Sequence, residues 1–197
     1  MASSNTVKKQ TLYLAVAAAL IIGFIGGVAY SVYRAPAADT HQHEATGPSK
    51  EATEAVASLE KAVKENPKDA QALIQLGHAY FDTGAAKQAI EVYTKALELE
   101  PGKPDVMTDL GVMYHQDNQH QKALDTFSEV LKLNPLHEQA RFNRGVVLLT
   151  GFNDVKGALA EWELLVKDHP FAMTPSGKMV SELVEQVKKE EQGKQAK

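Results

Sequence analysis

Residues 76–101 read LGHAYFDTGAAKQAIEVYTKALELEP, and residues 110–135 read LGVMYHQDNQHQKALDTFSEVLKLNP. The second stretch begins 34 residues after the first and keeps a few letters in register while the rest drift. Gly77 recurs as Gly111 and Gly145, Tyr80 as Tyr114, Ala89 as Ala123, Tyr93 as Phe127, and Pro101 as Pro135. A third copy holds Gly145, gains one residue in TGFNDVKG, and resumes with Ala158, Trp162 and Pro170. Upstream, Ala55, Leu59, Ala62 and Pro67 fall at the offsets of Ala89, Tyr93, Ala96 and Pro101, so 50–69 reads as the second half of a repeat. Self-similarity at such a period marks stacked supersecondary units, none of which can bury its apolar face alone.

Each unit reads as helix–turn–helix. A glycine within a helix costs about 1 kcal/mol against alanine, so three in register need a reason. That reason is space: Gly77, with Ala89 from the paired helix, is expected to let two backbones meet. Tyr80 and Tyr114 are expected to pack over the neighbouring helix, and Pro101, Pro135 and Pro170 to end the second helices. After Pro170, Thr174 and Pro175 read as a helix N-cap and first turn. Met179, Val180, Leu183, Val184 and Val187 then form one apolar face of a terminal capping helix.

The chain has 197 residues, 25 acidic and 21 basic, for a formal charge of −4. Without a basic stripe it is a poor match for nucleic acid, since phosphate neutralisation needs clustered Lys and Arg. The absence of cysteine removes disulfides, thiolate metal sites and cysteine nucleophiles. No Ser-His-Asp order, paired-carboxylate motif or phosphate-binding glycine loop stands out, so no catalytic residue and no cofactor are expected.

Leu12 to Tyr33, LYLAVAAALIIGFIGGVAYSVY, carries no charge over 22 residues. At helical rise it spans roughly 33 Å, the thickness of a hydrocarbon core. That is longer than the apolar core of a cleavable signal, although RAPAAD at 34–39 offers an A-x-A cleavage site. Lys8 and Lys9 precede the span and Arg34 alone follows it closely. The positive-inside bias therefore places the amino terminus in the cytoplasm and the repeats outside, in a bacterium the periplasm. Ala19, Gly23 and Gly27 belong to a small-residue stripe recurring every four residues, a helix-packing face for a second copy or another membrane subunit. Residues 34–49 read as a flexible tether. Its His41 and His43 have metal-ligand spacing but no third ligand.

The repeated residues resemble the tetratricopeptide repeat, a 34-residue helix–turn–helix with Leu-Gly, Tyr, Ala, aromatic and Pro at these spacings. The resemblance implies an all-α solenoid with a half repeat at 50–69, full repeats at 70–103, 104–137 and 138–172, and a capping helix and tail at 173–197. It is preceded by a cytoplasmic tail at 1–11, an anchor at 12–33 and the tether at 34–49. It also implies a ligand groove on the first helix of each pair. That groove would be lined by Gln71, Ile74, His78, Phe81 and Asp82 in the first repeat, then Asp105, Thr108, Val112, His115 and Gln116 in the second. The third would supply Gln139, Phe142, Val146, Leu149 and Thr150. The Lys, Asn and Arg clamp with which chaperone-binding relatives hold a terminal carboxylate has no counterpart at Ile74, His78, Val112 and Gln139. An apolar floor of Phe142, Val146 and Leu149, with Arg141 and Arg144 nearby, instead suits a peptide or amphipathic helix held by side-chain anchors. His78 and His115 are expected to come close across adjacent repeats, without an evident third metal ligand.

The layout as a whole is similar to the membrane-anchored TPR subunits of bacterial cytochrome c maturation, which present apocytochrome c to the haem lyase. That likeness implies a periplasmic, inner-membrane-tethered interaction scaffold that is not an enzyme. Its partners would be apocytochrome c and haem lyase subunits. A general periplasmic scaffold for envelope or pilus assembly, and a membrane homo-oligomer with the repeats as spacers, are the alternatives.

Overall fold

The computed structural model describes residues 49–195, and among them there are eight helices: α1 Lys50–Glu65, α2 Ala70–Asp82, α3 Ala86–Leu99, α4 Pro104–Gln116, α5 His120–Leu133, α6 Glu138–Phe152, α7 Val155–Asp168 and α8 Val180–Gln195. The expected anchor with Ala19, Gly23 and Gly27, and the tether with His41 and His43, lie outside the described residues. Among the described residues no helix is long and apolar enough to cross a membrane.

Helix α2 pairs with α3 and α4 with α5, preceded by α1 against α2; α6 meets the first part of α7 through Gly145 with Trp162 and Arg141 with Glu161. The first helices of successive pairs also touch, α2 with α4 and α4 with α6. One face of the stack is thus built from first helices alone.

The repeated glycine makes room for a ring rather than a backbone. A Cβ on Gly77 would collide with the Tyr93 ring, one on Gly111 would lie 2.6 Å from Cε1 of Phe127, and one on Gly145 would collide with the Trp162 indole. Tyr93, Phe127 and Trp162 are each 0 % exposed, as are Ala89, Ala123 and Ala158. The alanine and the glycine together form the slot that holds one large ring per repeat. Burying such a ring contributes on the order of 2–3 kcal/mol at each site. Tyr80 takes a different part: its hydroxyl donates to Glu60 Oε1 at 2.5 Å, tying α2 to α1. Burial and that carboxylate push the Tyr80 phenol up to about 12.

The extra residue of the third repeat falls at the turn inside the pair. Helices α2 and α4 have 13 residues each and α6 has 15. The following turn, three residues in the first two pairs (83–85 and 117–119), shrinks to Asn153 and Asp154. The turn keeps one left-handed residue throughout, Gly84 at φ 70°, Asn118 at 60° and Asn153 at 54°. Gly and Asn are the residues that tolerate that conformation.

The described chain divides into two compact units, one up to Leu164 and one from Leu165. In the second unit Thr174 does not cap a helix. Its Oγ1 accepts from Lys178 N at 3.1 Å within a tight loop that pairs Met173 with Met179. Gly177 at φ 79° turns the chain there. Helix α8 therefore starts at Val180, later than Thr174–Pro175 suggested, and buries Val180, Val184 and Val187.

Candidate functional site

The face formed by α2, α4 and α6 carries every groove residue expected from the sequence, but not with the expected exposure. Gln71, His78, Asp82, Asp105 and Gln139 are exposed, and His115, Gln116, Val146, Leu149 and Thr150 are half-buried. Ile74, Phe81, Thr108, Val112 and Phe142 are buried. The Phe142 ring stacks on Trp162 with centroids 6.1 Å apart, and its carbonyl accepts the indole N–H at 3.0 Å. Phe142 is thus a core side chain, as are Ile74 and Val112. Of the expected apolar floor only Val146 and Leu149 keep contact with solvent. What the face offers water is mainly polar.

At the seam between α2 and α4, His78 Nε2 lies 3.3 Å from Asp109 Oδ2 and the imidazole stands edge-on to the Tyr93 ring, 5.7 Å between centroids. The bond to Asp109 raises the His78 pKa against the opposing effect of partial burial. Partial burial raises the Asp82 pKa, and the Asp109 charge adds to that while His78 works against it. Tyr93 faces Asp109 and Asp82, and burial pushes its phenol far up. Its hydroxyl is buried, and the Asp109 carboxylate is the acceptor beside it.

At the seam between α4 and α6, His115 does not meet His78. Its Nδ1 lies 2.9 Å from His120 Nδ1, at the start of α5, and its Nε2 lies 3.1 Å from Thr150 Oγ1. Thr150 Oγ1 also sits 2.7 Å from the Val146 carbonyl, to which only the hydroxyl can donate. The proton positions follow from that constraint: His115 carries its hydrogen on Nε2 and donates to Thr150, so His120 Nδ1–H donates to the His115 lone pair. Burial, and secondarily the neighbouring His120, lower the His115 pKa to about 4. His137 serves the same seam from the start of α6. Its Nδ1 accepts from Ala140 N at 3.2 Å, capping the helix, and its Nε2 lies 3.1 Å from Asp105 Oδ1.

Arg141 and Arg144 are engaged within the third pair. Glu161 on α7 lies 3.6 Å from Arg141 Nη1 and 3.3 Å from Arg144 Nη1, all three side chains being largely buried. Arg141 also donates to the Pro135 carbonyl at 2.6 Å. Among the described residues no three His, Cys, Asp or Glu side chains converge on a metal position. The sequence reading passed over Asp109, His120, His137 and Glu161. Two signals were available: Asp109 stands one turn beyond Asp105 on the same helix, and Tyr93 alone among the three ring positions carries a hydroxyl.

Three family models, all described as tetratricopeptide repeats, match residues 49–92, 77–118 and 108–172. No curated protein matches the chain. Among solved structures, a crystal structure of MamA aligns with a TM-score of 0.57 at 19 % identity, covering 72 % of this chain and 90 % of that one. The first TPR of Spaghetti (RPAP3), bound to an HSP90 peptide, aligns at 0.54 and 20 % identity over 61 % of this chain and 90 % of its own. YrrB, described as a TPR protein with an unusual peptide-binding site, aligns at 0.53 and 25 % identity over 61 % of each chain. Residues 49–172 are a tetratricopeptide-repeat array.

Proposed function

We propose that this tetratricopeptide-repeat array is a protein-interaction scaffold that holds a peptide or short helix across the face of α2, α4 and α6. The observation that carries the reading is that one continuous face is built from first helices, with open polar side chains on α2 and α4 and the half-exposed Val146 and Leu149 on α6. Such a face combines a few directional polar points with a small apolar anchor site, which suits side-chain recognition of a peptide. Two of the structural neighbours are described with peptide binding, RPAP3 with an HSP90 peptide and YrrB with an unusual site. The Lys, Asn and Arg clamp for a terminal carboxylate is missing here, so the partner is read from its side chains.

The partner we favour is apocytochrome c, with the array tethered to the bacterial inner membrane by 12–33 and facing the periplasm. The support is the order of parts along the chain: a short basic start, an uncharged span, a loose tether, a half repeat and three repeats. A small-residue face at Ala19, Gly23 and Gly27 would dock the span to haem lyase subunits or to a second copy.

The test is a titration of the full chain in detergent with labelled C-terminal apocytochrome peptides, read by anisotropy against scrambled controls. Saturable binding of the native sequence, weakened in Val146→Ala/Leu149→Ala with an unchanged melting midpoint, supports the reading. Equal binding of native and scrambled peptides removes apocytochrome as the cargo. A pilus or envelope component would then be sought by crosslinking in cells.

A further inference from the structure

Ahead of α8 the chain doubles back on itself between Ala172 and Val180. Thr174 N donates to the Lys178 carbonyl at 2.7 Å, and Val180 N to that of Ala172 at 2.9 Å. Between those two bonds Met173 stands opposite Met179. That is the non-hydrogen-bonded position of an antiparallel pair, where facing side chains come closest and share one side of the ribbon. The other side is turned inward, with Ala172, Thr174 and Val180 all buried. Alternation puts Phe171 on the side of Met173, and these two are 83 % and 56 % exposed. Among the described residues no large apolar side chain is more open than Phe171. The Thr174 hydroxyl, bonded to both the N–H and the carbonyl of Lys178, locks the loop. The exposure is therefore built into a fixed structure, and a fixed apolar knob marks a contact.

We propose that this loop lies in the surface of a lipid bilayer, with Phe171, Met173 and Met179 among the outer acyl carbons and Lys178 level with anionic headgroups; this rests on the membrane-tethered reading above. Three features select lipid over protein. The first is reach. The uncharged stretch ends at Tyr33 and the described chain begins at Ser49, so residues 34–49, fully extended, span at most roughly 55 Å. A tether of that length holds the bilayer at a high effective concentration, at which a weak affinity of one loop is sufficient. The second is charge. Residues 169–181, HPFAMTPSGKMVS, contain no Asp or Glu and carry the exposed Lys178, in a chain of formal charge −4. Anionic headgroups would repel a carboxylate here, whereas a lysine stem follows the apolar side chains down while its ammonium stays at the surface. The third is size. The knob is three side chains beside the exposed Ser176, Gly177 and Lys178, and a stable protein interface takes about 800 Å² from each partner. A bilayer asks for no matching surface and takes a small apolar wedge as it stands.

The experiment uses the full chain in nanodiscs of phosphatidylcholine and phosphatidylglycerol, with methionine methyl carbons labelled for NMR. Lipids bearing a nitroxide near the top of the acyl chain are expected to broaden the Met173 and Met179 signals well beyond those of Met107 and Met113 on α4. Phe171→Ser changes a side chain that stands in the open, so the melting midpoint should hold. The same change should shift the loop about tenfold toward its unbound state, the loss of one buried aromatic side chain, and sharpen both signals. Vesicle flotation, run beside it, reads the anchor alone. A chain that floats while Met173 and Met179 stay as sharp as Met107 overturns the proposal, leaves the anchor standing and hands the knob to a protein partner. Broadening that persists undiminished in Phe171→Ser overturns it as well. A chain that does not float removes the anchor, and the loop's place in the lipid falls with it.

Discussion

The seam between the first two repeats and the seam between the second and third each place a histidine on a first helix, and protons act on the two in opposite directions. His78 is half exposed and meets a carboxylate, so the fold favours its charged form. His115 is largely buried, meets another imidazole and a hydroxyl, and the fold favours its neutral form. The backbone around them is the same repeat, so the difference belongs to partners and to water. A solenoid can thus vary the chemistry of each seam while its ring slots stay fixed.

The largest expected effect comes from a change that strikes both seams at once. Gly111 lies on α4, the helix they share, and a Cβ there would already crowd Phe127. Gly111→Leu should cost about 3 kcal/mol or more, because the ring has no vacant space to enter. A melt by circular dichroism that matches the parent would remove the glycine–ring slot as the organising contact.

Next comes acid. Neutral His115 in the fold has a pKa lowered to about 4 from 6.5. Between those values the unfolded chain takes up a proton that the folded chain refuses, so stability falls as pH falls. The full loss is on the order of 3 kcal/mol. His78 has the opposite sign: its contribution is present below pH 6.5 and fades as pH rises through its raised folded value. Asp82, also raised, recovers a little stability at the acid end. Denaturant midpoints across this range should therefore peak near neutrality and fall on the acid side. His115→Gln should flatten the acid limb and His78→Gln should leave it. An acid limb that survives in His115→Gln would place the titrating group elsewhere.

The turns sharpen the contrast by showing what the seams share. Gly84 and Asn118 hold the same left-handed position. Gly84→Ala should lose about 1 kcal/mol and Asn118→Ala less, because asparagine already holds a Cβ in that conformation; chemical denaturation measures both. A larger loss at Asn118 than at Gly84 would mean that the two pairs are not built on one backbone plan.

These effects were unevenly legible in the sequence. The period of 34, the ring positions and the inserted residue near 150–157 could all be read, because each leaves a mark on spacing. Register also placed the groove residues on one face. It could not tell Ile74, Val112 and Phe142, which are buried, from Val146 and Leu149, which stay partly open: periodicity gives a direction, not what lies in that direction. The pairing of His115 with His120 rather than His78 was hidden for the same reason, since it depends on how a turn folds back. Thr174–Pro175 carries a helix-start signal, but Gly177 two residues later closes a loop first.

The smallest expected effect is the most specific to the first seam. Tyr93→Phe removes a buried hydroxyl beside the Asp109 carboxylate and leaves the ring that fills the slot beside Gly77. The one acceptor beside that hydroxyl is shared with His78, so what is lost in bonding nearly offsets the desolvated atom removed, and stability should change by no more than about 1 kcal/mol. The reverse exchange, Phe127→Tyr, adds a hydroxyl to a slot fully lined by protein and should lose about 1–3 kcal/mol. If Tyr93→Phe instead loses well over about 1 kcal/mol, the hydroxyl's bond to Asp109 outweighs the burial of its oxygen, and the first seam is held by its polar groups as well as by its ring.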